Sequence, residues 1–504
     1  MKKFFKIFIS KRFILVLTFL INLALFFTIT YFLDSFIYSA ISIFATIIAV
    51  IILINSEEQL VYKFMWLFLI AIFPLFGTVL YLYLKRCRAT LKKRKQFSSI
   101  RSDTNKYICE NDDVLDEMKT LNSGQQNLAK YLINTTNMQV YKNTNVYYLK
   151  NGEEYFEFLI KDLKNAEKFI LLEYYIIEHG KIWDQILEVL KEKTKNGVEV
   201  KILYDDFGCM DKISRKYFKS LNEYNIETVL FNRCISTINK YSQFRDHRKL
   251  CVIDGKVGYV GGINLADEYA NITTKFGYWK DTGVKLEGDA VWSLILLFSK
   301  NWRLEGKQFD LEKYKVNSSV QNNSFVQPFG SGPLYIEPIA RNNYINMISG
   351  AKKYVYITTP YLLLDTTTID ALSIAAKSGV DVRIVMPGIP DKKFVWYLGR
   401  SYYKELVNAG VKIYEFTPGF IHSKMVLVDD ITACVGTINF DFRSLYLHFE
   451  NAVMVYNDKE VLNVKDDIIE VIGKSKEVTK EDIKRRKWYE KLVANILRFF
   501  APLM

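Results

Sequence analysis

Two stretches of this 504-residue chain carry the same polar residues at the same spacing. The first reads His247-Arg-Lys249, then Asp254, then Gly261-Gly262-Ile-Asn264. The second reads His422-Ser-Lys424, then Asp429, then Gly436-Thr437-Ile-Asn439. The copies lie 175 residues apart and match at every fixed position, while the filler residues differ. A lone His-x-Lys before a strand is a weak signal, but a complete second copy is not. The chain holds four histidines in all (179, 247, 422 and 448), and two of them occupy the same place in the two motifs. A repeat of this kind confines the fold to two similar units.

The repeat extends upstream. Ala166-Glu-Lys-Phe-Ile-Leu-Leu-Glu173 matches Ala351-Lys-Lys-Tyr-Val-Tyr-Ile-Thr358, and Asn196-Gly197-Val-Glu-Val matches Ser378-Gly379-Val-Asp-Val. An apolar run, a helical stretch stopped by glycine and a second β-rich run form a βαβ pattern. The expected fold is therefore α/β, with a largely buried sheet in each half and the halves facing each other across a pseudo-two-fold axis.

The motif residues suit phosphodiester chemistry. Lys249 to Asp254 and Lys424 to Asp429 read as strands, so the histidine and lysine two apart point to one face. Two facing copies then supply two imidazoles and two ammonium groups. Lys249 and Lys424, with the amides of Asn264 and Asn439, can hold phosphate oxygens. One of His247 and His422 can attack phosphorus while the other protonates the leaving oxygen. Lysine already supplies the positive charge, and no His/Cys/Asp cluster has metal-ligand spacing, so no metal or cofactor is expected.

This paired motif resembles that of the phospholipase D superfamily. The resemblance implies that an acid orients each catalytic histidine. Glu450 follows Asn439 by eleven residues; the same step from Asn264 reaches Lys275, so the first copy departs, and its acid is Asp281 after a longer loop. The motif aspartates Asp254 and Asp429 are carried with the catalytic set, but the reading preferred for both is structural, at strand ends. His179 and His448 have no counterpart and read as loop or supporting residues.

Three runs, 13–33, 36–54 and 64–84, contain no charged side chain except Asp34 beside them, and each approaches the length that crosses a bilayer. The basic clusters Lys85-Arg86-Cys87-Arg88 and Lys92-Lys93-Arg94-Lys95 follow, which puts the catalytic body in the cytosol by the positive-inside rule. The N-terminus is basic too, and three full crossings cannot leave both ends inside. Either one run is re-entrant or the N-terminal bias is overridden. At the other end, Lys484-Arg485-Arg486-Lys487-Trp488 precedes an apolar stripe that suits either the bilayer interface or docking on the body.

With these runs, Phe244-Arg-Asp-His247-Arg-Lys249, Pro418-Gly-Phe-Ile-His422 and the closing Ala501-Pro502-Leu503-Met504 are similar to bacterial cardiolipin synthases. That resemblance covers nearly the whole chain from about residue 36. It implies two phospholipase D-like domains, 135–315 and 330–475, after N-terminal transmembrane helices within 1–87 and a basic juxtamembrane linker, 88–134. Residues 476–504 complete the chain as a basic amphipathic helix. It further implies a multi-pass protein of the bacterial cell membrane that moves a phosphatidyl group between two phosphatidylglycerol molecules through a phosphatidyl-histidine.

The net charge of +13 fits an anionic partner. An anionic phospholipid bilayer explains the apolar runs; nucleic acid, the substrate of a nuclease with the same motif, leaves them unexplained. A phospholipase D using water, or a transferase using another acceptor, would show the same residues. A non-catalytic scaffold would not need two intact motifs. Six cysteines without a CxxC pair suit reduced thiols.

Overall fold

The computed structural model describes residues 35–56, 60–85, 88–108, 111–121, 123–234, 240–316, 320–499 and 501, with residues 24, 28 and 31. Most of the run 13–33 therefore lies outside the described residues. The chain forms two compact units: Met1–Arg94 with Arg233–Gln243 and Pro502–Met504, and Lys95–Asn232 with Phe244–Ala501.

In the first unit the run 36–54 falls within the helix Ser35–Ile54. The run 64–84, expected as one continuous segment, is two helices, Leu60–Ile72 and Pro74–Lys85. Pro74 explains the break, because it lacks an N–H and its ring clashes with the preceding turn. Gly77 lets the two helices close: a Cβ there would stand 2.8 Å from the Leu69 carbonyl oxygen and 2.9 Å from Ile70 Cα. Among the described residues, no helix is long and apolar enough to cross a membrane.

The second unit holds two sheets built on one plan. The first half contributes β1 (Thr144–Leu149), β2 (Phe169–Tyr174), β3 (Glu199–Asp205), β4 (Ile226–Phe231), β5 (Arg245–Asp246), β6 (Lys249–Ile253), β7 (Val257–Gly261), β8 (Tyr278–Lys280) and β9 (Gly283–Gly288). The second contributes β10 (Phe325–Ser331), β11 (Tyr354–Thr358), β12 (Asp381–Pro387), β13 (Lys412–Phe416), β14 (Gly419–Ile421), β15 (Met425–Val428), β16 (Thr432–Gly436), β17 (His448–Tyr456) and β18 (Ser475–Glu477). The sheet orders are β1-β9-β7-β6-β2-β3-β4 and β10-β17-β16-β15-β11-β12-β13-β18. Strand for strand these are the same, with β18 added at one edge. In each, two βαβ steps give three parallel strands and the motif strands join antiparallel. β2 is buried along its whole length, Glu173 included, as befits a mainly apolar strand covered on both faces.

The motif aspartates occupy the turns after β6 and β15. Asp254 and Gly255 both have positive φ, as do Asp429 and Asp430. The amides of Lys256 and Ile431 close these turns onto the carbonyls of Ile253 and Val428, which is the two-residue hairpin geometry that tolerates Asp and Gly. The Asp254 carboxylate then accepts the amides of Glu167, Lys168 and Phe169 at 2.7–2.9 Å. Asp429 accepts those of Lys352, Lys353 and Tyr354 at 2.7–2.8 Å. Each aspartate thus pins the start of the adjacent central strand.

The segment 88–134, read as a linker, is largely helical: Arg88–Asn105, Asp112–Leu121 and the start of Ser123–Thr136. Phe97 is buried, its ring 5.2 Å from that of Tyr335 and 5.9 Å from that of Phe449. Gln125 donates to the Ile431 carbonyl. From Lys95 on, this segment belongs to the catalytic body.

Candidate active site

Two short strands tie the halves together. β5, just before His247, pairs in parallel with the start of β17 in the other half, with Asp246 opposite Phe449. β14, just before His422, pairs in parallel with β8, with Ile421 opposite Lys280. The backbone amides of the two histidines continue these ladders: His247 donates to the Phe449 carbonyl at 2.9 Å, and His422 to the Lys280 carbonyl at 2.7 Å. The next residue after each acceptor is an acid. The register therefore sets Glu450 against His247 and Asp281 against His422.

The side chains follow. Nδ1 of His247 lies 2.9 and 3.0 Å from the two carboxylate oxygens of Glu450. Nδ1 of His422 lies 2.6 Å from Asp281 Oδ2. Each half supplies the acid for the other half's histidine. All four residues are buried. A carboxylate on Nδ1 holds the ring and leaves Nε2 for the reacting phosphate.

The lysines complete the cluster. Nζ of Lys424 is 2.8 Å from His422 Nδ1, and Lys249 Nζ donates to the His247 carbonyl and stands 5.2 Å from the Tyr175 ring centroid. Burial, opposed by Glu450, pushes the Lys249 ammonium down to about 7; burial likewise brings Lys424 to about 8. Burial and Lys424, opposed by Asp281, bring His422 down to about 4. His247 is held well below its ordinary value by burial and then by Lys249 and Lys424. Both imidazoles thus resist protonation in the free site, and a bound phosphodiester anion, by offsetting the lysine charges, favours the imidazolium on one of them.

Asn264 is used within the protein. Its carbonyl accepts the Ile176 amide at 2.9 Å and its NH2 donates to the Tyr269 hydroxyl at 2.7 Å. Asn439 is buried, with Oδ1 lacking a hydrogen-bond partner. Asn264 thus also ties the first motif to the loop after β2.

The differences between the motifs are compensated nearby. A Cβ on Gly262 would stand 2.1 Å from Asp281 Oδ1, so the first copy requires glycine. In the second copy Thr437 fits instead and donates its hydroxyl to Glu450. Arg248 lies 3.5 Å from Glu173, and it donates to the Leu297 and Glu450 carbonyls. At the matching places Ser423 donates to Thr358 at 2.9 Å. A buried charged pair in one half is a hydroxyl pair in the other.

Aromatic walls flank both histidines. Trp279, Tyr269 and Phe420 have ring centroids 5.3–5.7 Å from that of His422. Tyr175 lies 4.9 Å from His247. The other near ring is His448, 5.3 Å from His247. His448 is a buried strand residue on β17, the supporting rather than the loop alternative read for it. His179, by contrast, packs on Tyr217 at 4.6 Å, away from the cluster.

Comparison with known proteins agrees with this geometry. The family model described as cardiolipin synthase, PLD-like domain, matches residues 159–274 and 344–472, and a phospholipase D-nuclease N-terminal model matches 44–86. The chain is 35% identical to a cardiolipin synthase of Halalkalibacterium halodurans over 451 residues, covering 87% of this chain and 88% of that protein. It is 35% identical to cardiolipin synthase 1 of Staphylococcus aureus over 450 residues, 87% and 91% of the two chains. An uncharacterized Streptococcus mutans protein is 41% identical over 458 residues, 90% and 99%. The crystal structure of a phosphatidylserine synthase from Haemophilus influenzae shares the fold, with a TM-score of 0.57 at 16% identity over 75% of this chain and 98% of that one.

Proposed function

This chain belongs to the cardiolipin synthase family of paired phospholipase D-like domains, and on that premise we propose that it transfers a phosphatidyl group from one phosphatidylglycerol to another, releasing glycerol. It is a phosphatidyltransferase. The observation that carries the reading is the crossed pairing of His247 with Glu450 and His422 with Asp281 in one lysine-lined cluster.

One imidazole Nε2 attacks phosphorus and the P–O bond to the first glycerol breaks, giving a phosphatidyl-histidine. The other imidazole gives its proton to the leaving oxygen. Neutral after that transfer, it takes the proton of the incoming hydroxyl, whose oxygen displaces the histidine. Lys249 and Lys424 balance the charge on the non-bridging oxygens throughout. Asp254 and Asp429 act through the fold by fixing β2 and β11. No metal enters these steps.

The helices before Arg94 are the membrane anchor. Phe36, Ile43, Phe44, Ile47 and Ile51 along Ser35–Ile54 are all more than half exposed, a surface suited to lipid. The 13- and 12-residue helices on either side of Phe73 reach about 20 Å each at ~1.5 Å per residue, short of the roughly 30 Å core. A re-entrant hairpin there returns the chain to the side it left, so both basic ends can face the cytosol. The helix Trp488–Phe499 is held to the body by Arg498 on Glu405 and Tyr402, yet buries only Ala494 and leaves Trp488, Leu492, Val493 and Ile496 exposed, a face suited to the bilayer interface.

The test is product analysis of the purified full chain with labelled phosphatidylglycerol in mixed micelles. Cardiolipin with released glycerol is expected, and excess glycerol should drive cardiolipin back to phosphatidylglycerol. Phosphatidic acid as the main product would instead identify a phospholipase D.

A further inference from the structure

We infer that His247, His448 and Glu450 form a binding site for a divalent transition-metal ion of the zinc class, whose occupancy removes His247 from catalysis. The inference rests on the reading of His247 as a catalytic group. His448 and Glu450 are two apart on β17, so they project from the same face. The β5–β17 pairing brings His247 against that face from the other half. One nitrogen from each imidazole and one oxygen of Glu450 lie within 4.8 Å of one another, and all three residues are buried.

Two observations point to a ligand here. Nδ1 of His448 is buried without a hydrogen-bond partner, in a residue only 8% exposed. Glu450 Oε1 is 3.7 Å from it, while the same oxygen is 2.9 Å from His247 Nδ1. Tetrahedral zinc with bonds of roughly 2.0–2.1 Å spaces its ligands about 3.3 Å apart, between those two distances. Two histidines and one glutamate, with a position left open, form a set that zinc takes readily.

A metal bound to His247 occupies a ring nitrogen that the reaction needs, either for attack or for the proton shared with Glu450. The ion would therefore be an inhibitor. Lys249 and Lys424 oppose its charge, and the carboxylates of Glu450 and Asp281 favour it. The sequence conceals such a site, because its first and second ligands stand 201 residues apart.

The test uses the full chain in detergent, stripped with EDTA. Cobalt(II), a visible-absorbing stand-in for zinc, is titrated optically, and cardiolipin formation is measured against buffered free Zn2+. One equivalent of cobalt should bind with the intense visible bands of four-coordination, and EDTA should leave activity intact or raise it. His448→Asn and His448→Phe remove the ligand; the second retains a ring against His247 and Tyr175, so the inference stays testable if the first fails to fold. Loss of an outer partner alone costs about 10–100-fold in metal affinity, so loss of a ligand should raise the half-inhibiting Zn2+ concentration at least ~10-fold, each variant measured against its own metal-free rate. Absence of stoichiometric cobalt binding, or zinc inhibition unchanged in both variants, would overturn the inference even if cardiolipin is made. A chain that makes no cardiolipin yet binds cobalt through His448 would uphold the site and sink the proposed turnover.

Discussion

Replacing Glu450 by glutamine isolates the contribution of one crossed acid. The side chain keeps its length, and the His247 amide still bonds the Phe449 carbonyl at 2.9 Å, so the histidine backbone stays in place. What changes is the charge behind the ring, at two contacts of 2.9 and 3.0 Å in a fully buried setting. His247 resists protonation in the free enzyme, so the carboxylate matters most when positive charge develops on the ring during the reaction. Leaving a buried charge without its partner costs about 3–5 kcal/mol, a factor of roughly 10²–10⁴ in rate. The loss should fall on kcat with KM little changed, because the interaction is made in the transition state. Rapid-quench single turnover with ³²P-labelled phosphatidylglycerol measures it directly. Thr437→Val, which removes one donor to the same carboxylate, should lose a smaller amount, ~1.5–3 kcal/mol or about 10–10²-fold. A Glu450→Gln variant within about threefold of wild-type kcat, or one whose defect lies in KM, would refute the crossed assignment.

His247→Ala or His422→Ala alone should abolish nearly all turnover, and the double variant should be no worse than the worse single, since the pair acts as a unit; acid-labile, base-stable label on histidine after rapid quench is the check. The pH profile of kcat/KM should decline on the alkaline side near pH 7–8 rather than near 10, because Lys249 and Lys424 are protonated below about 7 and about 8 and lose their charge above. Lys249→Arg, which stays charged and replaces the lysine that deprotonates first, should move that limb upward; an unshifted limb would assign it to another group. Asp254→Asn keeps a residue that tolerates positive φ but removes the charge accepting three amides. It should lower stability by ~1.5–3 kcal/mol, read as a fall in Tm, with kcat per folded molecule close to wild type.

Much of the site was legible because the chemistry is repeated. The matched spacing identified both histidines, both lysines and the strands that carry them; Glu450 followed from its position after Asn439, whereas Asp281 came from aligning Lys280-Asp281 with Phe449-Glu450 across a longer loop. The sequence could not say which acid serves which histidine. That depends on β5 and β14, strands of two and three residues whose partners lie in the other half; no local pattern encodes such pairing. The same limit hid the placement of His448, which lies against His247 of the other half, while the role of Thr437 rests on a contact to Glu450 within its own half. In the N-terminal region the apolar run 64–84 masked a break, although Pro74 stood in its middle. Hydropathy counts apolar surface, whereas the break comes from a missing amide.

The exchange of acids between the halves has a consequence for descent. In a simple duplication each copy can wear down while the other keeps working. Here a substitution at Asp281 is felt at His422, and one at Glu450 is felt at His247, each in the opposite half. The two halves are therefore inherited as a single unit of selection. A cut between them, for instance in the 317–319 stretch, should yield fragments that are inert apart and regain turnover only when recombined.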